Sequence, residues 1–143
     1  MPSQKTILFR FESYKEVNYM KIYIGHSRNY DYERKLYKPI LDSDLSKEHE
    51  IIFPHTNKKS FNTKSIIEDA DLFIAEVSAQ SLGLGIEIGR AEQIGKKILC
   101  IYNNEYKLSQ SLKFVNTDII EYEDERDMVK KLKVYIQKIN DER

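Results

Sequence analysis

Residues 70–102 read ADLFIAEVSAQSLGLGIEIGRAEQIGKKILCIY, and this stretch decides the fold. Its apolar run at residues 71–77 (DLFIAEV) is typical of a buried strand, and residues 97–102 (KILCIY) have the same character. Between the two runs, residues 84–95 have the pattern of a helix. A strand, a helix and a second strand in this order predict a βαβ unit, because parallel neighbours need a long crossover between them.

The same alternation extends outward from this unit along the chain. Three further strands are predicted, at residues 21–25 (KIYIG), 50–54 (EIIFP) and 118–122 (DIIEY). Three further helices are predicted at residues 30–45, 63–69 and 125–139. The pattern predicts an α/β fold: a flavodoxin-like (Rossmann-like), five-stranded parallel sheet of order 2-1-3-4-5, with helices on both faces.

In open sheets of this kind, ligands bind beyond the carboxyl ends of the strands, near the switch point between strands 1 and 3. The loops at residues 25–30, 54–57 and 78–87 lie there in the predicted fold. Tyr23 and Tyr30 are also close to this region, where packing is the simplest role for a tyrosine.

The 143 residues of the chain suit one domain with a single core, which we place at residues 20–143. Residues 1–19 are an N-terminal extension for which an edge strand, a disordered leader and an upstream addition stay open. The formal net charge of zero excludes an overall basic field for a nucleic acid polymer. No stretch approaches the roughly 20 apolar residues that cross a bilayer, so we expect a cytoplasmic protein without a membrane partner. A buried structural thiol at the single cysteine, Cys100, agrees with a reducing compartment.

The loop after the third strand is unusually rich in glycine. Gly83 and Gly85 weaken a helix by about 1 kcal/mol each relative to alanine, which suggests selection for close approach of a ligand to the backbone. Backbone amides at a helix start suit an anionic group, and Ser81 adds a hydroxyl.

Glu87 is a carboxylate on the apolar face of the predicted helix. We expect it in the first helical turn, where the helix dipole favours the ionised form that a nucleophile needs. The structural alternatives are an ion pair with Arg90, three residues further on, and a place at the edge of the apolar stripe.

Residues 70–102 resemble the signature of the nucleoside 2-deoxyribosyltransferase-like family, nearest its branch of 2'-deoxynucleoside 5'-phosphate N-hydrolases. The resemblance rests on AEVS after the strand and on SLGLGIEIGRA beyond it. It implies that Glu87 attacks C1' of the sugar and forms a glycosyl-enzyme intermediate, which water or another base then resolves. The substrate would be a nucleoside or its 5'-monophosphate, with no cofactor and no metal.

The resemblance extends to residues outside the glycine-rich loop. The loop after the first strand, with Gly25, His26, Ser27 and Arg28, is similar to the family's loop around sugar and phosphate. A solvated arginine at the start of a helix is the alternative for Arg28.

Four further positions complete the predicted substrate site. Ser81 matches a phosphate-binding serine, and His55 resembles a histidine that lines the base pocket, with polar surface as its alternative. Ser109 is similar to a serine that enters the site of a neighbouring subunit, which implies a homo-oligomer, a dimer or higher. Glu76, at the end of the third strand, is expected to support the pocket through hydrogen bonds.

Thr63 departs from the family pattern. The resemblance implies an aspartate here that handles the proton of the leaving base, and threonine cannot replace a carboxylic acid in that role. The acid is then relocated, His55 replaces it, or the protein binds a nucleotide and turns it over slowly. Thr63 therefore supports one alternative, a non-catalytic nucleotide-binding or sensing module. A second alternative is a different enzyme, a TIR-like NAD glycohydrolase with a similar sheet and a nucleophilic glutamate.

Overall fold

The computed structural model of the chain describes residues 4–9, 14–54 and 62–143. Five strands form one parallel sheet: β3 (Lys21–His26), β4 (Glu50–Ile52), β5 (Leu72–Glu76), β6 (Ile98–Asn103) and β7 (Asp118–Tyr122). Their spatial order is β4-β3-β5-β6-β7, which is the predicted order 2-1-3-4-5. The predicted fold class is confirmed.

Helices cover both faces of the sheet, as expected for a parallel sheet whose strands are apolar on both sides. They are α1 (Lys38–Leu41), α2 (Leu45–Glu48), α3 (Lys64–Asp69), α4 (Leu82–Gln93) and α5 (Glu125–Asp141). On one face, α1 and α5 pack with Ile74 of β5, and on the other, α3 and α4 pack with Phe73 of the same strand. Alternate residues of each strand thus enter two separate cores.

The helix predicted at residues 30–45 is interrupted. A π-helical turn (Glu33–Tyr37) comes first and α1 follows it directly, but the chain then turns before α2 begins. Ser43 causes the break, because its hydroxyl donates to the Ile40 carbonyl at 2.6 Å and accepts from the Leu45 amide at 3.2 Å. Such local bonds compete with the helical ladder.

The helix after the third strand begins two residues earlier than predicted. Ser81 caps α4, with its hydroxyl accepting from the amide of Leu84 at 3.4 Å. Gly95, at φ 76°, follows the end of the helix in the left-handed conformation that favours glycine. Glu87 therefore lies in the second turn, and its predicted place in the first turn, where the helix dipole acts most strongly, was wrong.

Residues 4–9 and 14–19 form a small sheet of their own. β1 (Gln4–Phe9) pairs with β2 (Tyr14–Tyr19) in antiparallel register, so the described parts of the predicted extension form an antiparallel pair of strands. The domain boundary at residue 20 stays a prediction. None of the helices that the structure describes has the length and apolarity needed to cross a bilayer.

Candidate active site

A cleft of about 510 Å³ opens at the carboxyl ends of β3 and β5, beside α4. The topological rule predicts a ligand site at this place, because β3 and β5 flank the switch point of the sheet. Six predicted site residues line it: His26, Ser27, Arg28, Ser81, Gly83 and Glu87.

Glu87 is fixed in the cleft by two hydroxyl groups. Its Oε2 accepts hydrogen bonds from the hydroxyl of Tyr23, on β3, at 2.7 Å and from that of Thr63, at the start of α3, at 2.6 Å. Three elements of the fold thus meet at one carboxylate oxygen. The other oxygen, Oε1, is left facing the backbone of β3 near Gly25.

The two donors keep their protons over the working range of most enzymes. Burial, and then the negative charge of Glu87, raises the pKa of Tyr23 well above its ordinary value of 10.0. A threonine hydroxyl does not ionise in this range. The pair therefore orients the Glu87 carboxylate without competing for its charge.

Gly25 provides the space in which Glu87 lies. A Cβ at this position would come within 3.1 Å of Leu84 Cδ1, 3.1 Å of Phe73 Cζ and 3.3 Å of Glu87 Oε1. Any larger residue would push the helix or the carboxylate away. This glycine is therefore needed for close packing of α4 on β3.

The loop after β3 is ordered by the side chain of Ser27. Its hydroxyl accepts from the Asn29 amide at 3.0 Å and lies 3.5 Å from the carbonyl of Gln80, which belongs to the loop after β5. Arg28 is exposed at the cleft edge. The two loops that carry predicted phosphate contacts thus approach each other across the cleft.

A second arginine lines the same cleft. Within the described part of the chain, neither Arg28 nor Arg90 forms an ion pair within 4.0 Å. The pairing of Glu87 with Arg90, which the sequence left open, is therefore not formed. Both guanidinium groups are available to an anionic or carbonyl-bearing ligand.

His26 is buried and held by its own surroundings. Its Nε2 is 2.5 Å from the Tyr37 hydroxyl, its Nδ1 is 3.0 Å from the Ser27 carbonyl, and its ring stacks on Tyr32 at 4.2 Å. Because a carbonyl can only accept, Nδ1 carries a proton. This ring shapes the wall of the cleft, since its polar atoms already have partners.

Four predicted site residues do not line this cleft, and a fifth lies outside the described residues. Gly25, the first of the four, packs behind the Glu87 side chain without lining the cleft itself. Glu76 is fully buried, and its strand position places it on the face opposite Glu87. Gly85 and Ser109 line a neighbouring, largely apolar groove of about 450 Å³. His55 falls outside the residues that the structure describes.

Sequence reasoning missed the contacts of Tyr23 and Thr63 with Glu87, and it gave Arg90 no role in a site. The alternation of β3 offered one signal, because Tyr23 points to the same face as α4. Among the described residues, no group of three His, Cys, Asp or Glu side chains is arranged to hold a metal ion.

No family model matches the chain. Over 36 residues, 25% of the chain, it is 50% identical to the 5-hydroxymethyl-dUMP N-hydrolase of Rattus norvegicus. Over 36 residues it is 53% identical to the protein of that name from Branchiostoma floridae. The matched segments span only 22% and 34% of the length of these two relatives.

The fold has a solved counterpart in a CMP N-glycosidase of Clostridium botulinum. The two superpose with a TM-score of 0.59 over 79% of this chain and 98% of the other, at 24% identity. At that identity the likeness concerns the fold alone. The shared segment of sequence and the shared fold together confirm the predicted resemblance of this chain to the nucleoside 2-deoxyribosyltransferase-like family.

Proposed function

We propose that the chain cleaves the N-glycosidic bond of a (deoxy)nucleoside 5'-monophosphate, with Glu87 as the nucleophile. The observation that carries the proposal is the geometry of Glu87 in the cleft. Two hydroxyl groups donate hydrogen bonds to its Oε2, and neither of them binds Oε1. The names of the relatives, an N-hydrolase and an N-glycosidase, support this class of reaction.

The chemistry takes two displacements at C1' of the sugar. Glu87 Oε1 forms a bond to C1' as the C1'–N bond breaks, and the bonding electron pair leaves with the base. Water then attacks C1' and releases Glu87 as a carboxylate, and the proton that the water loses balances the one that the departing base takes up. Both steps pass through an oxocarbenium-like state, and the adjacent negative charge of Glu87 stabilises it.

The phosphate would lie at the start of α4. Amides of the first helical turn and the Arg28 guanidinium suit a dianion there. Glu87 follows Gly83 by four residues, which is a rise of about 6 Å along the helix. A pentose 5'-phosphate spans a comparable distance between its phosphorus and C1', so both groups can be engaged at once.

Thr63 supports a second candidate, a nucleotide-binding or sensing module. Its hydroxyl donates to Glu87 and is far too weak an acid to protonate a departing base. An enzyme would then need another proton source, such as His55, or a substrate whose base departs without being protonated. A sensor cleaves no bond, so it would need no proton source.

One experiment separates these functions: release of free base from deoxynucleoside monophosphates, nucleosides and NAD, measured for the wild type and for Glu87→Gln. We expect release from a monophosphate by the wild type and a loss of at least about 10³-fold in the variant. If Glu87→Gln released base as fast as the wild type, Glu87 would not be the nucleophile. Saturable binding with no release from any substrate would favour the sensor, and release from NAD alone the TIR-like alternative.

Hydrolysis and base transfer share the first displacement and differ in what attacks the intermediate. Both stay open for this chain, because Glu87 serves either reaction. Adding a free acceptor base to the same assay separates them. A new nucleotide carrying that base would identify a transferase, and its absence at saturating acceptor would identify a hydrolase.

We also propose that the enzyme works as a homodimer. Ser109 lines the apolar groove beside the cleft and does not line the cleft of its own chain, which agrees with a contribution to the neighbouring subunit's site. Leu82 and Phe114 flank this region with 83% and 87% of their surface exposed. Large exposed apolar side chains of this kind are frequent in subunit interfaces.

A further inference from the structure

Three hydrogen-bonded side chains lie across the carboxyl end of the sheet, away from Glu87. The hydroxyls of Tyr30 and Tyr122 are 2.8 Å apart, and Tyr122 donates to Oε2 of Glu76. Oε1 of Glu76 accepts from the amide of Ser78 at 2.6 Å. The three side chains are almost completely buried, so water does not compete for these bonds.

The direction of each bond follows from counting protons. Tyr122 gives its single proton to Glu76, so the bond between the two tyrosines is donated by Tyr30. Burial raises the pKa of Tyr30 to about 12 and that of Tyr122 higher still, so both remain protonated. Burial also raises the pKa of Glu76, while the bonds from Tyr122 and Ser78 oppose this shift. Glu76 is the common acceptor of the network.

The network joins two loops that form opposite walls of the cleft. Tyr30 ends the loop after β3, and its amide donates to the carbonyl of Ser27 at 3.3 Å. Ser78 begins the loop after β5 that leads to Ser81, the cap of α4. The Glu76 carboxylate is bonded directly to Ser78 and is linked to Tyr30 through Tyr122, so it connects both loops although it does not line the cleft itself.

We propose that Tyr30, Tyr122 and Glu76 are positioning residues, which hold the loops of Arg28 and Ser81 at the spacing that a 5'-phosphate requires. This inference rests on the proposed function for its substrate. It gives a specific form to the support of the pocket through hydrogen bonds that the sequence predicts for Glu76. The network then sets the preference for a nucleotide over the free nucleoside, because the phosphate is the group that both loops reach.

The first test is kinetic and uses Tyr30→Phe with Tyr135→Phe as a matched control. The Tyr135 hydroxyl donates to Asp118 at 2.7 Å, at the opposite end of the sheet from the cleft. For Tyr30→Phe we expect kcat/KM to fall about tenfold for a deoxynucleoside 5'-monophosphate, mainly through KM. For the nucleoside of the same base, kcat/KM should stay unchanged in Tyr30→Phe. In the control, Tyr135→Phe, kcat/KM should stay unchanged for both substrates. An equal fall for both substrates would overturn the inference, because general loosening of the fold produces that result.

The second test needs no turnover and is independent of the proposed reaction. The affinity for 2-deoxyribose 5-phosphate is measured by calorimetry for the wild type, Tyr30→Phe and Tyr135→Phe. We expect about tenfold weaker binding in Tyr30→Phe alone. That result would support the network even if the wild type cleaves no substrate, in which case only the proposed function fails. Equal affinities, or a wild type that does not bind the probe, would overturn the inference.

A double variant guards against effects of folding. Tyr30 acts only through Tyr122 in this network, so Tyr30→Phe should add little to Tyr122→Phe in the same binding assay. Additive losses in the double variant would mean that the two residues act separately and would contradict the network.

Discussion

Glu87 and Glu76 belong to the same strand–helix unit, yet their surroundings differ completely. Glu87 faces the cleft and accepts from two hydroxyl groups, whereas Glu76 is sealed beneath the loops and accepts from a hydroxyl and an amide. In the first arrangement both hydroxyl groups bind Oε2 and neither binds Oε1, whereas in the second both carboxylate oxygens have a donor. The position of each carboxylate relative to the sheet, more than its residue type, decides what it can do.

Tyr23→Phe tests the support that Glu87 receives. Removing a hydrogen bond to a charged group costs about 1.5–3 kcal/mol when the group stays buried, so we expect kcat for base release to fall by about one to two orders of magnitude. The raised pKa of Tyr23 keeps the donor protonated, so the wild type should lose no activity through Tyr23 up to pH 10. Initial rates between pH 7 and 10 check both points. An unchanged kcat in the variant would show that Thr63 alone orients the carboxylate.

His49 makes the fold sensitive to acid. Burial, and then the nearby charge of Arg143, lowers the pKa of His49 from its ordinary 6.5 to about 4, while its Nδ1 accepts from the amide of Met20 at 3.2 Å. Between these two pH values the unfolded chain binds a proton that the folded chain does not. The free energy of unfolding should therefore fall as the pH drops through this window, by about 1–3 kcal/mol in total.

His49→Asn separates this proton from the carboxylates that titrate nearby, because asparagine can accept from Met20 but does not ionise. Urea denaturation at pH 7, 5.5 and 4.5 should give a shallower loss of stability in the variant than in the wild type. Parallel pH profiles would exclude His49 as the source.

At the scale of elements, α4 has a sequence of low helix propensity, yet it must pack closely against the sheet. Gly85 and Gly89 leave open space where a Cβ would lie, while Leu84 and Ile88 of the same helix are buried against the sheet. The packed face therefore holds the helix in place, and the glycines lower its intrinsic stability.

Gly89→Ala should raise the free energy of unfolding by about 0.5–1 kcal/mol, because the exposed methyl group meets nothing and the unfolded chain loses freedom. Gly95→Ala should lower the free energy of unfolding by about 1 kcal/mol, since φ 76° strains any residue with a Cβ. Thermal unfolding of both variants measures the contrast. Base release should be unchanged in Gly89→Ala, which does not line the cleft.

The elements themselves could be predicted from apolar runs and their spacing, because these patterns reflect burial directly. The single helix predicted at residues 30–45 was wrong because Ser43 forms local bonds that periodicity does not register. The start of α4 was misplaced because a serine cap, Ser81, outweighs the low helix propensity of Gly83. Local hydrogen bonds, in both cases, decided boundaries that hydrophobicity left open.

At the scale of the whole molecule, topology accounts for what the sequence could and could not predict about the site. The strand order brings the loops after β3 and β5 together, so Ser27, Arg28 and Glu87 could be assigned to one cleft. The bonds of Tyr23 and Thr63 to Glu87 depend on the depth at which α4 packs, to within a few tenths of an ångström. Repeating patterns of residue type carry no information at that precision.

The proposed homodimer is tested by Phe114→Asp, with Val134→Asp as its control. Both side chains are largely exposed, at 87% and 67%, but Val134 lies on α5, on the opposite face of the sheet from α4. Light scattering after gel filtration should give a dimer for the wild type and for Val134→Asp and a monomer for Phe114→Asp. A dimer in all three would place the interface elsewhere.

The buried thiol of Cys100 has a practical consequence for such measurements. It is inaccessible on β6, its pKa is raised by burial, and it is the single cysteine of the chain. The native protein should therefore resist maleimide dyes, which attack exposed thiolates. A fluorophore on Val134→Cys, at an exposed position outside the proposed interface, would consequently occupy one known position per molecule, and energy transfer between labelled copies could follow their association in real time.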